Sequence, residues 1–149
     1  LHLGLRKLEV IEARTEWLDL ESGLFHVQST DTFQPKDREN RTIPLTDEFA
    51  TWLGDHYGRP EPYLLHPEVK RGRYRYRYDF RTKFENLTRR CDLPDLTFHD
   101  LRRTFASLLV SRGVSLYKVA KWLGDTIPVV ESTYGHLIPQ DRDINAAWK

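Results

Sequence analysis

Residues 97–137 read "TFHDLRRTFASLLVSRGVSLYKVAKWLGDTIPVVESTYGHL". The stretch spells three helices with their start and stop signals in place. Thr97 followed by Asp100 resembles a capping box, in which hydroxyl and carboxylate each satisfy an otherwise unpaired amide at a helix start. Leu101, Phe105, Leu108 and Leu109 then form an apolar stripe that ends at Gly113, a glycine placed to close the helix. Ser115 caps a second helix, whose Leu116, Val119, Ala120 and Leu123 face a core and whose stop is Gly124. Thr126 and Pro128 open a short third helix carrying Tyr134, and Gly135 closes it. Three successive amphipathic helices leave His99, Arg102 and Tyr134 outside the apolar stripes, and these residue types carry chemistry.

Upstream, the pattern changes. Leu5, Leu8, Ile11 and Ala13 fall at helical spacing, which predicts a helix over residues 4–16. "WLDLESGLFHVQS" (17–29) places Ser22 and Gly23 between two short apolar runs, as a hairpin does, and "RTIPL" (41–45) reads as another strand that Pro44 ends or places at an edge. Thr46 with Asp47 and Glu48 starts a helix bearing Phe49, Trp52, Leu53 and His56 on one face. "GRPEP" (58–62) is a loop. Phe80, Phe84 and Leu87 mark a further helix, broken by "DLPDL" (92–96) at Pro94. The expectation is one α+β domain over residues 1–149, mainly α-helical, with helices around a small antiparallel sheet.

Composition sets wide bounds around that reading. The 149 residues are 39% hydrophobic and 30% charged, enough for one core and short for two. Net charge is +1, so a polyanionic partner has to be argued from where the charges sit rather than from their sum. Cys91 is the single cysteine, which rules out an intrachain disulfide and fits a reducing, cytoplasmic compartment. No apolar run reaches the roughly 18 residues of a membrane-spanning helix, and no signal peptide is recognisable. The chain opens directly on an apolar pattern and contains no methionine, so we expect a fragment with further sequence upstream.

Taken one by one, the candidate groups are ambiguous. His99 and Arg102 lie three apart, so their heads can reach one point; together they suit a phosphate, one moving a proton and the other binding two oxygens, but they equally suit a solvated helix edge. Arg6 and Glu9 form an i, i+3 pair in which the carboxylate can orient the guanidinium, or an ordinary surface ion pair. Lys36 sits in a polar turn before a strand, where most lysines are simply hydrated.

Their order along the chain narrows the choice. An arginine in "GLRKLE", a lysine ahead of "RTIPL", then "HDLRRTFAS", "LG" and "STYGHL" together resemble the catalytic domain of the tyrosine recombinase, or phage integrase, family over most of the chain. The resemblance implies Arg6, Lys36, His99, Arg102 and Tyr134 as catalytic residues, with Glu9 in support and Tyr134 as the nucleophile; Arg38 is an alternative to Lys36. It implies cleavage and rejoining of duplex DNA through a 3'-phosphotyrosine. Arg6 and Arg102 would stabilise the pentavalent phosphorane, His99 is the candidate base, and Lys36 would protonate the leaving 5' oxygen. It further implies a homotetramer on DNA, a DNA-clamping domain upstream, and an early part of the catalytic domain lying outside this chain. No cofactor or metal is called for, and the sequence carries no Walker loop or Cys-His cluster.

One position departs from the family pattern. Asp125 follows "LG" where His or Trp is usual. A carboxylate within about 4 Å of a phosphate would be repelled by up to about 4 kcal/mol at an effective dielectric of about 20. Asp125 is therefore expected to accept from Arg6 or Arg102, or to cap the helix of Tyr134, rather than to touch the phosphate. Elsewhere, "KRGRYRYRYDFRTK" (70–83) holds seven Lys and Arg residues and one acid. Alternating arginine and tyrosine would give an extended segment one cationic edge, so Arg71, Arg73, Arg75 and Arg77, with Arg103, are candidate contacts to DNA phosphates. The rival readings are a cleavage-deficient DNA-binding protein on the same fold, a type IB topoisomerase-like enzyme, and a helical interaction module without nucleic-acid function.

Overall fold

The computed structural model describes residues 1–30, 33–35, 39–56, 63–65 and 80–139. Among them lie six α-helices, two 3-10 turns and a three-stranded antiparallel sheet. The order is α1 (Lys7–Glu12), a 3-10 turn (Thr15–Trp17), β1 (Leu18–Asp19), β2 (Leu24–Val27), β3 (Arg41–Pro44), α2 (Asp47–His56), α3 (Phe80–Arg90), α4 (Phe98–Ser111), α5 (Leu116–Leu123), α6 (Ile127–Tyr134) and a second 3-10 turn (Gly135–Leu137). None of the described helices is long and apolar enough to cross a membrane.

The sheet runs in the order β1-β2-β3, with Phe25 paired to Leu18 on one side and to Ile43 on the other. Its hairpin turn falls at the expected Ser22 and Gly23: Asp19 accepts from the Ser22 amide, and Gly23 has φ +66°. Alternation along β2 sends Phe25 and Val27 inward, where with Ile43, Ala13 and Trp17 they form one apolar core. Pro44 ends the edge strand β3, where a missing amide costs no ladder bond.

A second core lies among α4, α5 and α6: Ala106, Val110, Val119, Ala120, Leu123 and Val130. The caps follow the sequence signals. Thr97 and Asp100 form the reciprocal box at the start of α4, Ser115 accepts from Lys118 at the start of α5, and Gly124 closes α5 at φ +64°. Hydrogen bonds from Thr97 hold the Asp100 carboxyl below its ordinary pKa, so this cap is intact above the usual carboxylate range and is lost as pH falls through the depressed value. Phe105 packs against both cores and joins them.

Three local expectations are corrected. The first helix is only six residues long, because Gly4 takes φ +57° and Ala13 leaves the helix in an extended conformation, with its carbonyl accepting from Leu64. Leu87 on α3 is exposed while Thr88 is buried, its hydroxyl satisfied by the Glu85 carbonyl. On α4 the buried line is Arg102, Ala106 and Val110, and Leu108 is exposed. The stripe residues Phe105 and Leu109 still pack against the core, so the buried face is widened to take in Arg102, whose guanidinium donates to the carbonyls of Gly4 and Leu123.

Gly4 is the tightest point of the N-terminal segment. A Cβ there would lie 2.4 Å from Phe105 Cδ1 on a backbone of positive φ. Left-handed strain and overpacking together should make Gly4→Ala cost about 2–4 kcal/mol. Urea denaturation of the two proteins measures this, and an unchanged midpoint would mean that the junction relaxes freely.

Candidate active site

The two cores meet where the α1 entry, the start of α4 and the α5–α6 turn come together. Arg6 is the N-cap residue of α1, and its backbone amide donates to Glu9 Oε2 at 2.7 Å. Its Nη2 donates to the Gly124 carbonyl and, at 2.7 Å, to Asp125 Oδ1. Arg102 enters from α4, almost wholly buried. Its Nη1 donates to the Gly4 carbonyl at 2.7 Å, and its Nη2 to the Leu123 carbonyl at 2.8 Å and to Asp125 Oδ2 at 2.7 Å. Two arginines far apart in sequence thus grip opposite oxygens of one carboxylate.

Arg6, Arg102 and Asp125 line a cleft of about 490 Å³ together with His99, Lys7 and Thr97. His99 is exposed on the first turn of α4. Tyr134 ends α6, half-buried against the helical core, and is not among the cleft's lining residues. Burial raises its hydroxyl above the ordinary phenol pKa, the charges of Arg102 and Arg103 act to lower it, and Asp125 raises it. The phenol therefore lies within electrostatic reach of Arg102 and Asp125. Burial lowers the Arg102 pKa, while the hydrogen bond and charge of Asp125 oppose that shift. Of the two expected roles for Asp125, it accepts from both arginines; Thr126 is the N-cap of α6, and no side-chain cap is formed there.

Arg41 did not stand out in the sequence. It projects from β3, its side chain 7% exposed, and gives Nη1 and Nη2 to the two oxygens of Glu9 at 2.9 and 2.5 Å, while Nε donates to the Trp122 carbonyl. Glu9, 1% exposed, thereby ties Arg6 to Arg41. Gly124 is needed for the same approach: a Cβ there would lie 3.1 Å from the Arg41 side chain. An arginine opening a strand next to other polar residues carries no local signal of burial; only its partner Glu9, on a different element, reveals it. Lys36 and its alternative Arg38, together with Arg71, Arg73, Arg75 and Arg77, lie outside the described residues. Arg103 is exposed on α4. Among the described residues no cluster of three or more potential metal ligands occurs.

The fold is a helical domain with a small sheet, in which two arginines from separate elements meet on one carboxylate with a histidine on the same cleft. Residues 1–139 match the model of the phage integrase family, and the chain belongs to that family. It is 28% identical over 142 residues to tyrosine recombinase XerA of Saccharolobus solfataricus, covering 95% of this chain and 44% of that protein. It is 38% identical over 153 residues to the integrase of Salmonella phage P22, covering 93% of this chain and 38% of that one. The chain thus spans less than half the length of these relatives. Among solved structures, the Tn1549 transposon integrase in complex with transposon right end DNA superposes with a TM-score of 0.67 at 18% identity, over 99% of this chain and 54% of that one. The likeness shows a shared fold.

Replacing Arg41 by alanine would leave the buried Glu9 carboxylate partly stranded, with the Arg6 amide and guanidinium still bonded to it, a loss of up to about 3 kcal/mol. Arg41→Ala should therefore unfold at markedly lower urea than the parent. Adding Glu9→Gln, which removes the stranded charge, should recover part of the loss. Equal stability of the parent and the single variant would mean that the pair is not buried in solution.

Proposed function

We propose that this chain is the catalytic domain of a site-specific DNA recombinase that breaks and rejoins duplex DNA through Tyr134. The observation that carries the reading is the convergence of Arg6 and Arg102, from separate elements, on one anion seat. In this mechanism the Tyr134 oxygen attacks a DNA phosphorus, the bond to the 5' oxygen breaks, and a 3'-phosphotyrosine and a free 5' hydroxyl result. Attack by a 5' hydroxyl on the phosphotyrosine reverses the step, so the phosphoester energy is conserved and no cofactor is consumed.

The roles follow from the chemistry of each side chain. Arg6 and Arg102 offer guanidinium donors to the extra negative charge of the phosphorane, each worth roughly a hundredfold or more in rate. Glu9 orients Arg6. The raised pKa of Tyr134 keeps the phenol protonated at neutral pH, so a base is required; His99, on the cleft lined by Arg6 and Arg102, is assigned that role. Lys36 is assigned the proton for the leaving 5' oxygen. Arg103, with Arg71, Arg73, Arg75 and Arg77, contributes phosphate-backbone contacts that hold DNA without reading its sequence. Duplex DNA as the partner is supported by the DNA-bound Tn1549 neighbour; assembly as a tetramer and an upstream DNA-clamping domain are carried over from the family resemblance.

Asp125 favours a second reading, a DNA-binding protein on this fold that no longer cleaves, because a carboxylate stands where the family carries His or Trp. A nicked duplex separates the two readings. With the cleaving enzyme, the chain becomes covalently linked to the strand, and Tyr134→Phe gives no adduct. Arg102→Lys, which cannot make the forked contact, lowers the rate of adduct formation by about a hundredfold. DNA binding without any adduct selects the second reading.

Backbone contact has its own measurement. Arg103→Ala should weaken binding to all duplex sequences alike and reduce the slope of log K against log salt by about one unit. An unchanged slope removes Arg103 from the interface.

A further inference from the structure

The seat between Arg6 and Arg102 is filled by a group of the chain's own. Asp125 Oδ1 takes one hydrogen of Arg6 Nη2 and Asp125 Oδ2 one hydrogen of Arg102 Nη2, each at 2.7 Å. The same two nitrogens donate to the carbonyls of Gly124 and Leu123. A terminal guanidinium nitrogen has two hydrogens to give, so on both nitrogens the donors are committed. A carboxylate bridging two guanidinium groups through separate oxygens presents the charge and the paired acceptors of a phosphodiester's two non-bridging oxygens. At this separation two anions repel strongly, and they cannot share the seat.

We infer that Asp125 is an internal stand-in for phosphate, which holds the arginine pair in the phosphate-binding arrangement and has to leave before a phosphodiester takes its place. The inference rests on the reading of this seat as a phosphate site. The displaced carboxylate has a destination. Besides the cleft with His99, Asp125 lines a second cavity of about 650 Å³ together with Asn40, Lys121 and Thr126. Lys121, whose ammonium lies over the Tyr117 ring, and Asn40 offer an ammonium and an amide there beside the exposed carboxylate of Glu39, whereas Arg41 on the same wall is already bonded to Glu9 and Trp122. The side chain thus stands on a partition between two cavities, with Arg6, Lys7 and Arg102 on one side and Lys121, together with the opposing Glu39, on the other.

The consequence is selective. A small anion has only the seat to gain and must overcome the resident carboxylate. A duplex that first engages surface cations such as Lys7 and Arg103 brings its phosphate to the seat at high effective concentration and can displace Asp125. Docking of DNA and seating of the phosphate become separate steps.

Inorganic phosphate is the probe, titrated calorimetrically into the full 149-residue chain and into its Asp125→Asn and Asp125→Ser variants. Melting curves confirm that each is folded. Phosphate is expected to bind both variants at least about tenfold more tightly than the parent, and Arg102→Lys in the Asp125→Asn background should erase the gain. Equal or weaker binding by the variants overturns the inference, because a carboxylate that merely orients the arginines would cost affinity when removed; so does an absence of binding throughout. The unsubstituted chain offers an independent decision through crystals soaked in tungstate. Tungstate between the arginines with Asp125 turned toward Lys121 supports the inference, while an unmoved Asp125, with or without tungstate bound, sinks it. A phosphate gain without any Tyr134-dependent adduct would leave the seat intact and defeat only the proposed cleavage; an adduct without the gain would do the reverse.

Discussion

The arrangement of the site depends on one buried carboxylate. Glu9, with almost no solvent contact, is held on both oxygens by Arg41 and reaches Arg6 through its backbone amide and its guanidinium. Taking a carboxylate out of water costs several kcal/mol unless its lone pairs are satisfied. The satisfied state exists only when β3, the start of α1 and the α5–α6 turn are all in register. The desolvation penalty that makes the pair a modest source of net stability also makes it intolerant of misalignment. It therefore defines position more than it adds to stability.

Around that carboxylate the arginines are organised by backbone carbonyls as much as by side chains. Gly4, Leu123 and Gly124 each supply an oxygen to Arg102 or Arg6. Gly4 and Gly124 adopt positive φ; a side chain at Gly4 would collide with Phe105, and one at Gly124 would press on the Arg41 side chain. A guanidinium fixed by carbonyls on two sides loses little further freedom when it meets an oxyanion, which is the condition for strong stabilisation of developing charge. The seam between the sheet-side core and the helical core is where such carbonyls become available, because helix ends leave them without intrahelical partners. A candidate site at the junction of two packed cores follows from that geometry.

Asp125 gives the seat an occupant as well as a shape. In a chain of this family, where His or Trp is usual at the position, a carboxylate reverses the sign of one wall of the site. Two guanidinium groups brought this close without a counter-ion would repel each other, and the structure resolves that repulsion internally. Affinity for phosphate and readiness of the arginine pair are then linked through a single side-chain rotation.

The order of motifs along the chain carried the family resemblance, while the mainly helical α+β class, the hairpin at Ser22 and Gly23, and the caps at Thr97, Ser115 and Gly124 were legible because each is set by local hydrogen bonding or by spacing within one element. It also named Arg6, Glu9, His99, Arg102 and Tyr134 as candidates. Local pattern failed where a partner from elsewhere overrode it: Gly4 and the extended Ala13 shortened α1, and carbonyls from two other segments turned Arg102 into the buried line of α4. Arg41 was invisible for the same reason, since its burial is specified by a carboxylate on α1 and a carbonyl on α5. What tertiary structure alone decided is which charges face each other and which are shielded from water, and charge interactions depend on distance and burial, neither of which is written along a chain.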